Sequence, residues 1–95
     1  MTEKDKIIDK VQKYKELHQQ EYGIKRIGVF GSLVKKDTFN DIDIVVDLEI
    51  PDLFKLIGIK QELQEELGLR VDVIRYREKM NPYLKKHIDK EAVYV

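Results

Sequence analysis

Two aspartates spaced two residues apart open an apolar segment, Asp41-Ile42-Asp43-Ile44-Val45-Val46. In an extended strand, side chains at i and i+2 leave the same face. Ile42 and Ile44 then enter a core while both carboxylates project together from the opposite side. Two carboxylates held close together repel, which raises the pKa of at least one unless a cation lies between them. The pair therefore reads either as a solvated strand edge or as a seat for a divalent ion. A third acid, Asp72, stands among Val71, Val73 and Ile74. Burying it is costly unless it is paired or coordinated. It either bridges to Arg70 or Arg75, or completes a three-carboxylate cluster if its strand lies beside that of Asp41 and Asp43. Gly31-Ser32 follows the run Arg26-Ile27-Gly28-Val29-Phe30. At a strand-to-helix turn such a pair offers backbone N–H groups and a hydroxyl to an anion such as phosphate, although an ordinary turn uses the same residues. Asp47 reads as a solvated strand end.

The elements that must position these groups are marked by the chain's own punctuation. Residues 4–21 predict an amphipathic helix, with Ile7, Val11, Tyr14 and His18 on one face, Ile8 and Leu17 alongside, and a stop at Gly23. Residues 26–30 and 41–48 read as strands, with one or two helical turns between them at 32–37. After Pro51 comes a helix over 52–67, capped by Asp52 and ended by Gly68. Its apolar stripe is expected at Leu53, Leu56, Ile57, Leu63 and Leu67. Gly58 inside it weakens the helix by roughly 1 kcal/mol against alanine, which suggests a closely packed neighbour. Residues 69–76 form a third strand. Asn81-Pro82 is a cap followed by a favoured first helical residue, opening a short helix through about Lys90. The tail Ala92-Val93-Tyr94-Val95 is expected to dock on the body. The order of elements predicts an α/β (α+β) fold, a small mixed sheet with helices packed on it.

Composition narrows the chemistry. The 95 residues are one domain's worth of chain, 1–95, and carry 18 basic and 18 acidic residues for a formal net charge of zero. That balance speaks against strong nucleic-acid binding, and the acids of the lysine-rich first helix speak against RNA there. Cysteine is absent, which excludes thiol nucleophiles, disulfides and zinc–thiolate sites. With only two histidines, His18 and His87, a histidine-rich metal site is excluded. The acid-centred alternative favours a hard cation such as magnesium. His18 reads as a packed or boundary residue and His87 as solvent-facing. Tyr14 and Tyr22 read as helix-packing residues. Tyr76, Tyr83 and Tyr94 are either core residues or a partner or homo-oligomer surface. No apolar run approaches the ~20 residues of a membrane span, and the N-terminus is charged, so the cytoplasm is the expected compartment.

Taken together, Val29-Phe30-Gly31-Ser32, Asp41-Ile42-Asp43-Ile44-Val45-Val46, Leu56-Ile57-Gly58-Ile59-Lys60-Gln61-Glu62-Leu63, Val71-Asp72-Val73-Ile74 and Asn81-Pro82-Tyr83-Leu84 resemble the DNA polymerase β-like nucleotidyltransferase superfamily. Within it the chain looks like the minimal nucleotidyltransferases. The resemblance implies the nucleotidyltransferase fold and transfer of a nucleotide, AMP from ATP, to a hydroxyl. Asp41, Asp43 and Asp72 would be catalytic and would hold one or two Mg²⁺ ions. Gly31, Ser32 and Lys35 would bind the nucleotide, with Lys36 an alternative to Lys35. The loop 33–40 is shorter than is usual in the family, and Lys35-Lys36 stands where the family tends to have Arg-Gly. Lysine keeps the charge but loses the bidentate fork. With no acceptor-binding module among these residues, the resemblance to the minimal nucleotidyltransferases implies a protein acceptor, a tyrosine of a HEPN-domain toxin for which the chain is the antitoxin. A binding module that neutralises its partner stoichiometrically is the alternative.

Overall fold

A computed structural model describes residues 3–31 and 41–95. The helical turns expected over 32–37, and with them Ser32, Lys35 and Lys36, lie outside the described residues.

Helix α1 (Glu3–Tyr22) runs for 20 residues without glycine or proline and buries Ile7, Val11 and Tyr14. It leads into β1 (Ile24–Phe30), which starts two residues before the strand expected at 26–30. The reason is a register shift between Ile24 and Arg26. The extra residue lets Ile24 and Ile27, three apart, both reach the same core, which a regular two-residue period forbids. Strand β2 (Asp41–Leu48) pairs antiparallel with β1 and parallel with β3 (Arg70–Arg75). The tail does dock, and it does so as a fourth strand: β4 (Val93–Tyr94) pairs antiparallel with β1. The mixed sheet has the order β3-β2-β1-β4.

Between β2 and β3 lies α2 (Leu53–Leu67). The Asp52 carboxylate accepts from the Phe54 and Lys55 N–H groups at 2.8 and 3.4 Å, and Gly68 ends the helix in the left-handed region at φ 65°. The expected stripe holds at Leu63, which is buried, and at Leu56 and Leu67, which pack against the core; it needs correcting at Leu53 and Ile57, which are exposed, and it lacked the buried Ile59. Helix α3 (Pro82–Glu91) is capped by the Asn81 side chain, which accepts from Tyr83 and Leu84.

The two faces of the sheet are covered unequally. On one, α1 and α2 pack over Ile27, Val29, Ile42, Ile44, Val46 and Val71. On the other, Ile88 of α3 and Met80 meet Phe30 and Val45 in a smaller cluster. β2 is apolar on both sides because it is the strand sandwiched between them, which explains its continuous run Ile44-Val45-Val46. Among the described residues, no helix is long and apolar enough to cross a membrane.

Candidate active site

The odd-numbered side chains of β2 share the face that carries α3. Asp41 and Asp43 precede Val45 on that face, beyond the reach of the small cluster, and are half-buried. The parallel register sets Asp72 of β3 directly opposite Asp43. Register partners in neighbouring strands sit about 4.8 Å apart and point to the same side. Asp72 therefore leaves the sheet beside Asp43, on the face and at the edge occupied by Asp41. β1 runs antiparallel to β2, so its last residues reach the same edge, with Phe30 opposite Asp43. All three strand ends converge there.

Gly31 closes the arrangement. Its φ of 84° lies in the left-handed region, and a Cβ at this position would collide with Asp43 Oδ2 and lie 3.2 Å from Asp43 Cγ. Only a residue without a side chain lets the turn pass over the carboxylate. The glycine thus places its backbone against an acid, not merely at the end of a strand.

Electrostatics single out Asp43. Its pKa is raised, first by burial, then by the charges of Asp72 and Asp41. Both neighbouring carboxylates therefore act on Asp43 at this edge. Their oxygens do not all come within 4.8 Å of one another. Shared face, shared edge and mutual repulsion are what the fold provides.

The burial argument for Asp72 needs correcting. β3 is an edge strand and Asp72 is exposed. The half-buried members of the set are Asp41 and Asp43. Among the described residues, the ion pairs do not join Asp72 to Arg70 or Arg75. Asp47, on the same face further along β2, is paired with Arg26 at 3.4 Å and belongs to a different cluster. There the Arg26 guanidinium lies 4.8 Å from the ring centroids of both Tyr76 and Tyr94, so two of the three C-terminal tyrosines are structural and only Tyr83 is widely exposed.

One cation at the carboxylate edge entered the reading of the sequence only as a salt-bridge partner for Asp72. Arg70 is the register partner of Asp41 and is exposed on the same face. Its spacing of two from Asp72 is the signal that puts both side chains on one face of β3.

Comparison with known proteins agrees with the fold. The family described as "Polymerase beta, Nucleotidyltransferase" matches residues 12–95. The protein adenylyltransferase MntA of Thermococcus cleftensis is 40% identical over 84 residues, 85% of this chain and 83% of its own. A chain from Methanocaldococcus jannaschii is 35% identical over 92 residues, 94% of each. In fold, the chain is similar to one in the structure of a tri-AMPylated Shewanella oneidensis HEPN toxin in complex with an MNT antitoxin, with a TM-score of 0.65 at 22% identity over 90% of this chain and 66% of that one.

Proposed function

Because the chain belongs to the polymerase β nucleotidyltransferase family, we propose that it transfers AMP from ATP, with Mg²⁺, to a tyrosine hydroxyl of a HEPN-domain protein, and acts as that protein's antitoxin. The observation that carries this reading is the meeting of Asp41, Asp43 and Asp72 on one face and one edge of the sheet, beside Gly31. Further support comes from the protein adenylyltransferase activity named for the Thermococcus relative and from the toxin–antitoxin complex in which one chain has this chain's fold.

The donor set fits a hard divalent cation: three carboxylate side chains, two of them half-buried, with the charged form of Asp43 disfavoured by the other two. Asp41 and Asp43 would hold the ion, with Asp72 contributing from the neighbouring strand. A bound divalent ion supplies charge neutralisation for the phosphates and the leaving pyrophosphate. The backbone turn at Gly31, together with Ser32 and Lys35, orients the phosphate tail. Asp72 is the acid most open to a macromolecular acceptor, and it assists removal of the hydroxyl proton. The acceptor oxygen attacks the α-phosphorus, the bond to pyrophosphate breaks, and the proton passes to Asp72 or solvent. Positioning and electrostatics supply the rate, without a covalent intermediate on the protein.

The test incubates the purified chain with α-labelled ATP, Mg²⁺ and its cognate HEPN-domain partner. The wild type is expected to label the partner and Asp41→Asn is not. An unlabelled partner, or equal labelling by Asp41→Asn, ends the enzymatic reading.

A further inference from the structure

On the sheet face away from the carboxylates, the seam between α1 and α2 gathers a second set of ligand-type side chains. His18 and Glu21 are one helical turn apart on α1, and Glu62 faces them from α2. We propose that His18 Nδ1, Glu21 and the Oε2 oxygen of Glu62 form a binding site for a divalent transition-metal ion of the zinc class, clamping α1 to α2.

The geometry carries this. One ligand atom from each residue lies within 4.8 Å of the other two. His18 Nδ1 is 2.9 Å from Glu21 Oε1 and 4.0 Å from Glu62 Oε2. Bonds of about 2.0–2.1 Å in a tetrahedral shell separate neighbouring ligands by roughly 3.3 Å, between those two values. Small side-chain rotations are enough to admit the ion, with water in the remaining position.

The surroundings orient the ligands as a metal site requires. Tyr14 Oη donates to Glu62 Oε1 at 3.1 Å, and Tyr22 Oη donates to the same oxygen. Both phenols hold their protons. Tyr22 is pushed up to about 12 by its bond to Glu62, and Tyr14 is raised by burial and by Glu62. With Oε1 occupied twice, the remaining oxygen, Oε2, is the one presented to His18. Donors that fix the free oxygen of a ligating carboxylate are a regular part of such sites. The His18 ring is held between the rings of Tyr14 and Tyr22, at 4.5 and 6.0 Å between centroids. Tyr22 is itself seated over Gly58, where an added Cβ would come within 3.0 Å of its hydroxyl.

Ligand chemistry selects the ion. An imidazole with two carboxylates suits zinc, cobalt or nickel, whereas magnesium prefers oxygen alone.

Calorimetric titration of the full chain with Zn²⁺, in excess Mg²⁺ to load the carboxylate edge, tests the site. One saturating equivalent, a raised Tm and a shift of the His18 imidazole NMR signals with those of His87 unmoved are the expected results. His18→Gln and Glu21→Gln should each weaken binding by at least about tenfold, while Asp43→Asn and His87→Gln leave it intact. Glu21 is exposed, so its variant separates lost ligation from lost folding. Absence of saturable binding, unchanged affinity in both His18→Gln and Glu21→Gln, a zinc-shifted His87, or loss of binding in Asp43→Asn would each overturn the proposal.

Discussion

Asp43→Asn should stabilise the protein in the absence of divalent metal while abolishing nucleotide transfer. The half-buried carboxylate faces Asp72 across the strand pair and Asp41 along its own strand. At about 5–7 Å, one like-charge pair costs roughly 0.6–0.8 kcal/mol at the dielectric of water and about 2.4–3.3 kcal/mol at an effective value of 20. Asp72 is exposed and Asp41 half-buried, so screening moves the sum for both pairs toward the low end. A net gain of about 1 kcal/mol for the amide follows, or about 4–8 °C in Tm for a domain of this size.

The sign of the pH dependence is fixed by the same geometry. Burial and the neighbouring acids raise the pKa of Asp43 in the folded state. The protonated form is therefore favoured by folding. Its contribution is fully present below the unfolded pKa of about 3.9 and is lost as pH rises through the folded value. Wild type and variant should differ most near pH 7, and the gap should close as pH falls toward about 4. Thermal melts followed by circular dichroism in EDTA, at several pH values and two salt concentrations, measure this. Added salt narrows the gap, because the charges are partly exposed. Added Mg²⁺ should raise the wild-type Tm and leave the variant's nearly still. A variant less stable than wild type at pH 7 without metal would refute the reasoning, since it would mean that Asp43 has a favourable partner.

Three other substitutions test separate parts of the frame. Gly31→Ala combines a left-handed backbone with a clash on Asp43; melts should show a loss of about 1–2 kcal/mol, and transfer activity should fall further than the fraction unfolded explains. Gly58→Ala gains about 1 kcal/mol of helix propensity only where Tyr22 does not obstruct the new methyl group, so a double-mutant cycle by urea denaturation should show stabilisation in the Tyr22→Phe background and little or none in wild type. Asn81→Ala removes the acceptor for the Tyr83 and Leu84 N–H groups and should cost about 1 kcal/mol, with hydrogen exchange rising first in α3, whose cluster is the smaller of the two.

Local chemistry made much of the fold legible. Asp52, Gly68, Asn81 and Pro82 mark helix ends through contacts with their immediate neighbours, and the structure uses all four that way. What escaped was set by distant contacts. The first residues of β1 look polar at Lys25-Arg26 because the bulge there breaks the alternation. β4 is two residues long and exists only through pairing with Gly28 and Val29. On α2, Leu53 and Ile57 are apolar at helical spacing yet turn away from Ile59 and Leu63, since periodicity does not say which of two apolar stripes meets the sheet. Asp72 looked buried among valines because sequence cannot show that its strand is an edge. The Asp-x-Asp spacing was readable for the opposite reason: it depends on strand geometry alone.

The site also depends on register more than on any single side chain. Because strand side chains alternate, a slip of one residue between β2 and β3 would exchange Asp72 for Val71 or Val73 opposite Asp43 and reduce the three-carboxylate cluster to the Asp41–Asp43 pair. A slip of the whole of β2 would drive Asp43 into the face packed by α1 and α2. That face is what prevents it: Ile42, Ile44, Val46 and Val71 are fully buried there and lock the pairing from beneath. The irregularity the sheet does contain falls between Ile24 and Arg26, at the start of β1, which lies opposite Leu48 and Asp47. The distortion is thus placed at the far end of β2 from Asp41 and Asp43, where it brings Ile24 into the core without disturbing the three strand ends that carry the acids. The hydrophobic core of this small domain is therefore also what holds the spacing of its charges.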